Sequence, residues 1–161
     1  MEVNYLIYVI LSLLFSAFFS GMEIAFISSN KLQIELQNKQ GDFTGRILSV
    51  FVQRPGQFIG TTLMGNTIML VLYGIFMAYL MEDPLKVGLP DGFNNDAIVL
   101  VLQTLISTIV VLITAEFLPK SIFMLNPNSM LNFFALPFWI IYVLIYPVVW
   151  AVVGLSRFFI T

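Results

Sequence analysis

Residues 5–28, 58–81 and 96–123 form three predominantly apolar runs, each long enough to cross a hydrocarbon core of about 30 Å as a helix. Inside lipid every backbone N–H and C=O needs an internal partner, so such runs read as α-helices rather than as loops or open strands. Composition agrees: the chain is 59% hydrophobic and 10% charged, with a mean hydropathy of +0.95, whereas soluble domains are about a quarter charged. The expectation is an all-α integral membrane protein. A fourth apolar run, 131–155, is also long enough, but Pro137 and Pro147 divide it, each removing a helix hydrogen bond. Tyr142, Tyr146 and Trp150 share one face of it at i, i+4, i+8, a pattern that anchors helices at headgroup depth. On these residues both a proline-split belt at the membrane surface and a fourth crossing stay open.

The charges orient the runs. Lys31, Lys39, Arg46 and Arg54 lie between the first and second, whereas the next connection holds Glu82, Asp83, Asp91 and Asp96 beside a single Lys86. The positive-inside rule then places residues 30–54 in the cytoplasm and the N-terminus outside. Three crossings also carry Lys120 and Arg157 inward, so six of the 7 basic residues agree. No basic residue precedes the first run, which is too long for a signal-peptide core and is expected to stay as an anchor. Between 30 and 54, Leu32, Leu36, Ile47, Leu48 and Phe51 punctuate a polar segment broken around Gly41 to Gly45, which predicts two short amphipathic helices in a hairpin. Arg54-Pro55-Gly56 ends that hairpin and opens the second crossing, and Gly56 and Gly60 make a GxxxG pair that permits close helix approach. One transmembrane domain, 1–161, is expected: crossings at 5–28, 58–81 and 96–123, a cytoplasmic hairpin at 30–54, an outer loop at 82–95 and a juxtamembrane belt at 131–158.

Each crossing carries a polar interruption. Ser12, Ser16, Ser20 and Glu23 lie on one face of the first, with Gly21 exposing backbone beside Ser20. Thr62, Asn66, Met69 and Tyr73 share a face of the second, with Gly65 beside Asn66. In the third, Gln103, Ser107 and Thr114 share a face, but on an ideal helix Glu116 points roughly the opposite way. A carboxylate at membrane depth is costly and is a functional-site hypothesis by default. Pro119 cannot bond the Ala115 carbonyl, so the backbone beside Glu116 should be distorted, with a π-bulge as the expected form. Oxygen donors converging from three helices suit a hard cation such as Mg2+ or Na+. The serines also fit helix packing, Asn66 fits interhelical glue, and Lys120 at i+4 is an alternative salt-bridge partner for Glu116.

The chain has no cysteine or histidine, which excludes disulfides and makes zinc-like coordination an unexpected chemistry. No GxxxxGK[ST] phosphate loop occurs, and nucleic acid is not an expected partner. Serine nucleophiles lack an evident base, so an enzyme is not expected. A homodimer is, because many transporters place their site between two repeats that this short chain does not contain.

These residues resemble the membrane domain of the CNNM/CorC magnesium-transporter family. Phe18-Phe19-Ser20-Gly21-Met22-Glu23-Ile24-Ala25, Gly65-Asn66-Thr67 and Glu116-Phe117-Leu118-Pro119-Lys120-Ser121 are similar to its first-, second- and third-helix motifs. The resemblance implies a bacterial inner-membrane homodimer of three-crossing subunits, each followed by a belt helix and a cytoplasmic nucleotide-binding regulatory region. It also implies a dehydrated Mg2+ as transported ion, with Na+ as a coupling ion, held by Ser20, Asn66 and Glu116 with Ser16 and the Gly21 region as further ligands. Two positions depart from the pattern: Ala115 stands where glycine commonly precedes the glutamate, and Leu70 where a second asparagine is common. A non-transporting membrane scaffold of the same fold is the competing expectation.

Overall fold

A computed structural model describes residues 2–160, all of them in helices or the short turns between. The helices are α1 (Glu2–Ser28), α2 (Lys31–Lys39), α3 (Phe43–Gln53), α4 (Pro55–Gly88), α5 (Asp96–Val111), a π-helical segment (Leu112–Phe117), α6 (Leu118–Leu125) and α7 (Pro127–Ile160). Local chemistry sets several of these ends. Asn30 caps α2 by accepting from the Gln33 N–H at 3.2 Å, and Asn95 caps α5 by accepting from Ala97 at 3.0 Å. Pro55 opens α4, where its missing N–H costs nothing.

Between the first two long helices, α2 and α3 are two short helices that pack on each other. Gly41, at φ 82°, makes the turn between them in a conformation that glycine adopts without strain. A Cβ on Gly45 would lie 2.7 Å from Gln37 Cβ, so the two helices close on each other there. The hairpin docks on a buried aromatic core. Phe58 of α4 stacks between Phe26 of α1 and Phe138 of α7, with both centroid separations 4.2 Å. Phe51 of α3 meets Phe58 and Phe138 edge-on at 5.2 and 5.4 Å. Four helices thereby share one apolar knot. A second tie joins the start of α7 to that of α2: the Asn30 N–H donates to Asn128 Oδ1 at 2.9 Å, and Asn128 Nδ2 donates back to the Asn30 carbonyl.

Four helical stretches, Val3–Ser28, Pro55–Gly88, Asp96–Leu125 and Pro127–Ile160, are long and apolar enough to cross a membrane. The molecule is an integral membrane protein on that ground. Three details differ from the sequence expectation. First, α7 runs unbroken through Pro137 and Pro147. Both prolines are exposed while Leu131, Ala135, Phe138, Tyr142 and Val149 hold the opposite face, so the lost donors fall away from the packed side and the helix survives them. Second, α4 continues through Pro84 to Gly88, with Lys86 bridging to Glu82 at 2.8 Å, which shortens the following loop to 89–95. Third, Tyr142 is not at the surface. It is 5% exposed, stacks edge-on against Phe51 and donates to Gln57 Oε1 at 2.6 Å, leaving Tyr146 and Trp150 as the exposed aromatics. In the GxxxG pair only Gly60 meets a neighbour, Val149 of α7 at 3.6 Å from its would-be Cβ.

The core makes unequal demands on its phenylalanines. Phe58→Ala, at a fully buried stacking position, is expected to destabilise the protein by about 3–5 kcal/mol. Phe117→Ala, 67% exposed, should change stability by no more than about 0.5 kcal/mol. Thermal or denaturant unfolding in detergent checks both.

Candidate functional site

Two glycines let neighbouring helices approach α1 and α4 closely enough to join their polar faces. The ring of Phe19 on α1 occupies the space that a side chain on Gly65 would fill, which brings α1 against the middle of α4. The ring of Phe123 on α6 similarly covers Gly21, 2.6 Å from where its Cβ would lie. Close backbone approach of this kind is how small residues assemble membrane helices.

Between those contacts runs a continuous hydrogen-bonded chain. The Ser16 hydroxyl of α1 donates to Asn66 Oδ1 of α4 at 2.5 Å. Asn66 Nδ2 donates in turn to Glu116 Oε1 of the π segment at 3.4 Å. Lys120 of α6 donates to the other carboxylate oxygen, Oε2, at 3.0 Å. Three helical elements therefore meet through one amide. Ser16 is fully buried, and the Glu116 side chain is 26% exposed.

Glu116 reaches this meeting point because the helix takes up an extra residue in one wide turn. The Leu118 N–H bonds to the Ile113 carbonyl, five residues back, and closes a π turn. One extra residue rotates everything beyond it by about 100°, one residue's share of a 3.6-residue turn. The reason is Pro119, buried one residue further on, whose ring displaces the ordinary i to i−4 ladder. Thr114, by contrast, is exposed and donates to its own Val110 carbonyl at 2.6 Å. The predicted distortion beside Glu116 is thus present as a six-residue π helix.

Ser20 lies one turn beyond Ser16 on the same face and is 1% exposed. Its Oγ has no hydrogen-bond partner among the described residues. An orphaned buried hydroxyl costs about 1–3 kcal/mol and calls for an explanation. Gly21 sits inside the unbroken α1 and faces the Phe123 ring, a packing position. Of the five residues singled out in the sequence, Ser16, Asn66 and Glu116 are hydrogen-bonded together, Ser20 continues their face, and Gly21 meets α6. Among the described residues no three His, Cys, Asp or Glu side chains cluster, so a cation held here would be met mainly by neutral oxygens around one carboxylate.

The other polar residues of the third run serve a separate seam. Tyr73 donates to the Ser107 carbonyl at 3.0 Å and Gln103 to the Ala78 carbonyl at 3.2 Å, stitching α4 to α5 beside a groove of about 410 Å3 that Leu70 also lines. Sequence reasoning missed Phe19 and Phe123. Their signal is the glycine each one faces, but among 16 phenylalanines the sequence does not say which ring faces which glycine.

The chain is 27% identical over 148 residues to the UPF0053 inner membrane protein YfjD of Escherichia coli (strain K12), a match covering 88% of this chain and 31% of that protein. It is 28% identical over 147 residues to the UPF0053 protein MG146 homolog of Mycoplasma pneumoniae, covering 89% of this chain and 33% of that one. The chain thus spans about a third of the length of the curated relatives it matches. The family model for the Cyclin M transmembrane N-terminal domain matches residues 6–161, essentially the whole chain, and the chain accordingly belongs to the CNNM family.

Proposed function

We propose that this chain is the membrane domain of a magnesium transporter, in which Mg2+ passes between the helices through the Ser16–Asn66–Glu116 cluster. The observation that carries the reading is the hydrogen-bonded chain itself: oxygens from α1, α4 and the π segment converge, and each has a role in binding a hard cation. Glu116 supplies the negative charge. The Asn66 amide oxygen and the Ser16 and Ser20 hydroxyls replace water, and the unpartnered Ser20 Oγ is accounted for as a ligand. The Gly21 region contributes at the edge of that set. Mg2+ dehydrates reluctantly, so a nearly water-free site needs this many protein oxygens. To meet an ion the Ser16 hydroxyl rotates, because in its present bond it donates to the oxygen that would itself become a ligand.

Export, or exchange of Mg2+ for Na+, is the proposed direction. The acting unit is a homodimer in a bacterial inner membrane, a location in keeping with the printed name of the Escherichia coli relative. The N-terminus faces out, residues 30–54 face the cytoplasm, and α7 serves as a juxtamembrane belt rather than a crossing. Exposed Tyr146 and Trp150 on α7 support the belt. A nucleotide-binding regulatory region belongs to the larger protein, in line with the greater length of the relatives.

One observation favours a second reading, a scaffold that does not transport. Lys120 already neutralises Glu116 at 3.0 Å, so the carboxylate has a structural partner without any ion. Thermal unfolding separates the two. For the transporter, Mg2+ at a hundredfold excess over Kd is expected to stabilise the protein by about 2.7 kcal/mol, and Glu116→Gln or Asn66→Ala removes the shift. No shift in any variant favours the scaffold.

Lys120→Met provides an independent check. It deletes the ammonium that competes for Glu116, so apparent Mg2+ affinity should rise about tenfold, equivalent to about 1.4 kcal/mol, close to the lower end of what a hydrogen bond to a charged group contributes. In a scaffold the same substitution lowers stability and Mg2+ does not restore it. A Mg2+ titration of the unfolding temperature reads both outcomes.

A further inference from the structure

The junction of the hairpin with α4 and the last turns of α7 together enclose a recess of about 320 Å3, lined by Arg54, Gln57, Tyr146, Trp150 and Arg157 among others. Its composition is unlike that of the other grooves. Among the described residues, two guanidinium groups line it and no carboxylate does. Arg54 is held there by its place between α3 and α4, as the residue that ends one helix and precedes Pro55 of the next. Arg157 comes from the last turn of α7. Gln57 is oriented from behind: the Tyr142 hydroxyl donates to its Oε1 at 2.6 Å, which leaves the amide NH2 as the donor end of the group. Tyr146 and Trp150, one turn apart on α7, are 39% and 65% exposed and flank the recess with amphipathic rings.

We propose that this recess binds the phosphate of an anionic phospholipid headgroup. The planar fork of arginine matches phosphate oxygens bidentately. Exposed tyrosine and tryptophan settle at headgroup depth, where such a phosphate lies. The nearby hairpin carries Lys31, Lys39, Arg46 and Arg54, a basic segment of the kind drawn to anionic lipid. Anchored there, a lipid would pin the end of α7 to the start of α4, next to the aromatic core. The inference is independent of the ion site and stands or falls without it.

The test is the unfolding temperature of the purified protein in detergent with added phosphatidylglycerol, phosphatidylcholine or inorganic phosphate, together with native mass spectrometry of retained lipid. Phosphatidylglycerol is expected to stabilise the protein beyond phosphatidylcholine and to remain bound on release from detergent. The double variant Arg54→Gln/Arg157→Gln should lose both effects, while Arg54→Lys/Arg157→Lys keeps part of the stabilisation. Arg157→Gln alone, in the last turn of α7 and not part of the link between α3 and α4, should weaken retention even if Arg54→Gln impairs folding. Equal stabilisation by the two lipids, or unchanged lipid retention in Arg157→Gln and in the double variant, overturns the proposal. Stabilisation by inorganic phosphate equal to that by phosphatidylglycerol overturns the lipid assignment in favour of a soluble phosphate.

Discussion

A polar side chain within an apolar helix must find a partner, and in this molecule one amide meets that constraint for three helical elements at once. Asn66 accepts from Ser16 on α1 and donates to Glu116 on the π segment. Those bonds require α1, α4 and the third apolar stretch to approach closely, and Gly65 and Gly21 permit it by leaving room for the Phe19 and Phe123 rings. At the hairpin end, the Phe26, Phe58 and Phe138 stack holds α1 and α4 to each other and to α7 by apolar packing. The fold thus has an aromatic clamp that fixes the helices and a polar seam whose partners can be exchanged. In the proposed function the seam is the part that meets the ion, since its hydroxyl, amide and carboxylate oxygens are the hard donors that a cation takes.

The third stretch differs in character. Ala115 and Pro119 are buried against the rest of the molecule, whereas much of α5 is exposed and meets α4 along a narrow seam through Tyr73 and Gln103. A segment held firmly at its π turn and lightly in the preceding α5 divides naturally into the part that presents Glu116 and the largely exposed part. Lys120 completes the seam: at 41% exposure it satisfies the carboxylate from the rim, beside a groove of about 370 Å3 that Glu116 and Lys120 both line.

Much of this was legible in the residues, for reasons that also explain what was not. The apolar runs, the hairpin and the oxygen-bearing interruptions are composition and periodicity, which survive without knowledge of packing. Ser16, Asn66 and Glu116 could be named, yet ideal 3.6-residue periodicity turns Glu116 away from the others. Only the π turn restores the meeting, and the sequence signal for it is the missing N–H of Pro119. Proline misled elsewhere. Pro137 and Pro147 lie on exposed positions of a long helix, where the lost hydrogen bond faces outward and packing on the opposite face maintains the helix. Tyr142 shared a face with Tyr146 and Trp150 by spacing, but Gln57 and Phe51 draw it inward, a tertiary preference that spacing alone does not contain.

The central claim is that Glu116 is part of a path for Mg2+ and not merely the partner of Lys120. The most direct measurement is Mg2+ flux into liposomes that contain the protein, wild type against Glu116→Gln, with circular dichroism confirming that the variant is folded. The account predicts Mg2+ movement down its gradient in the wild type and its loss in the folded variant. Undiminished flux through Glu116→Gln, or a folded wild type that moves no Mg2+, would contradict it.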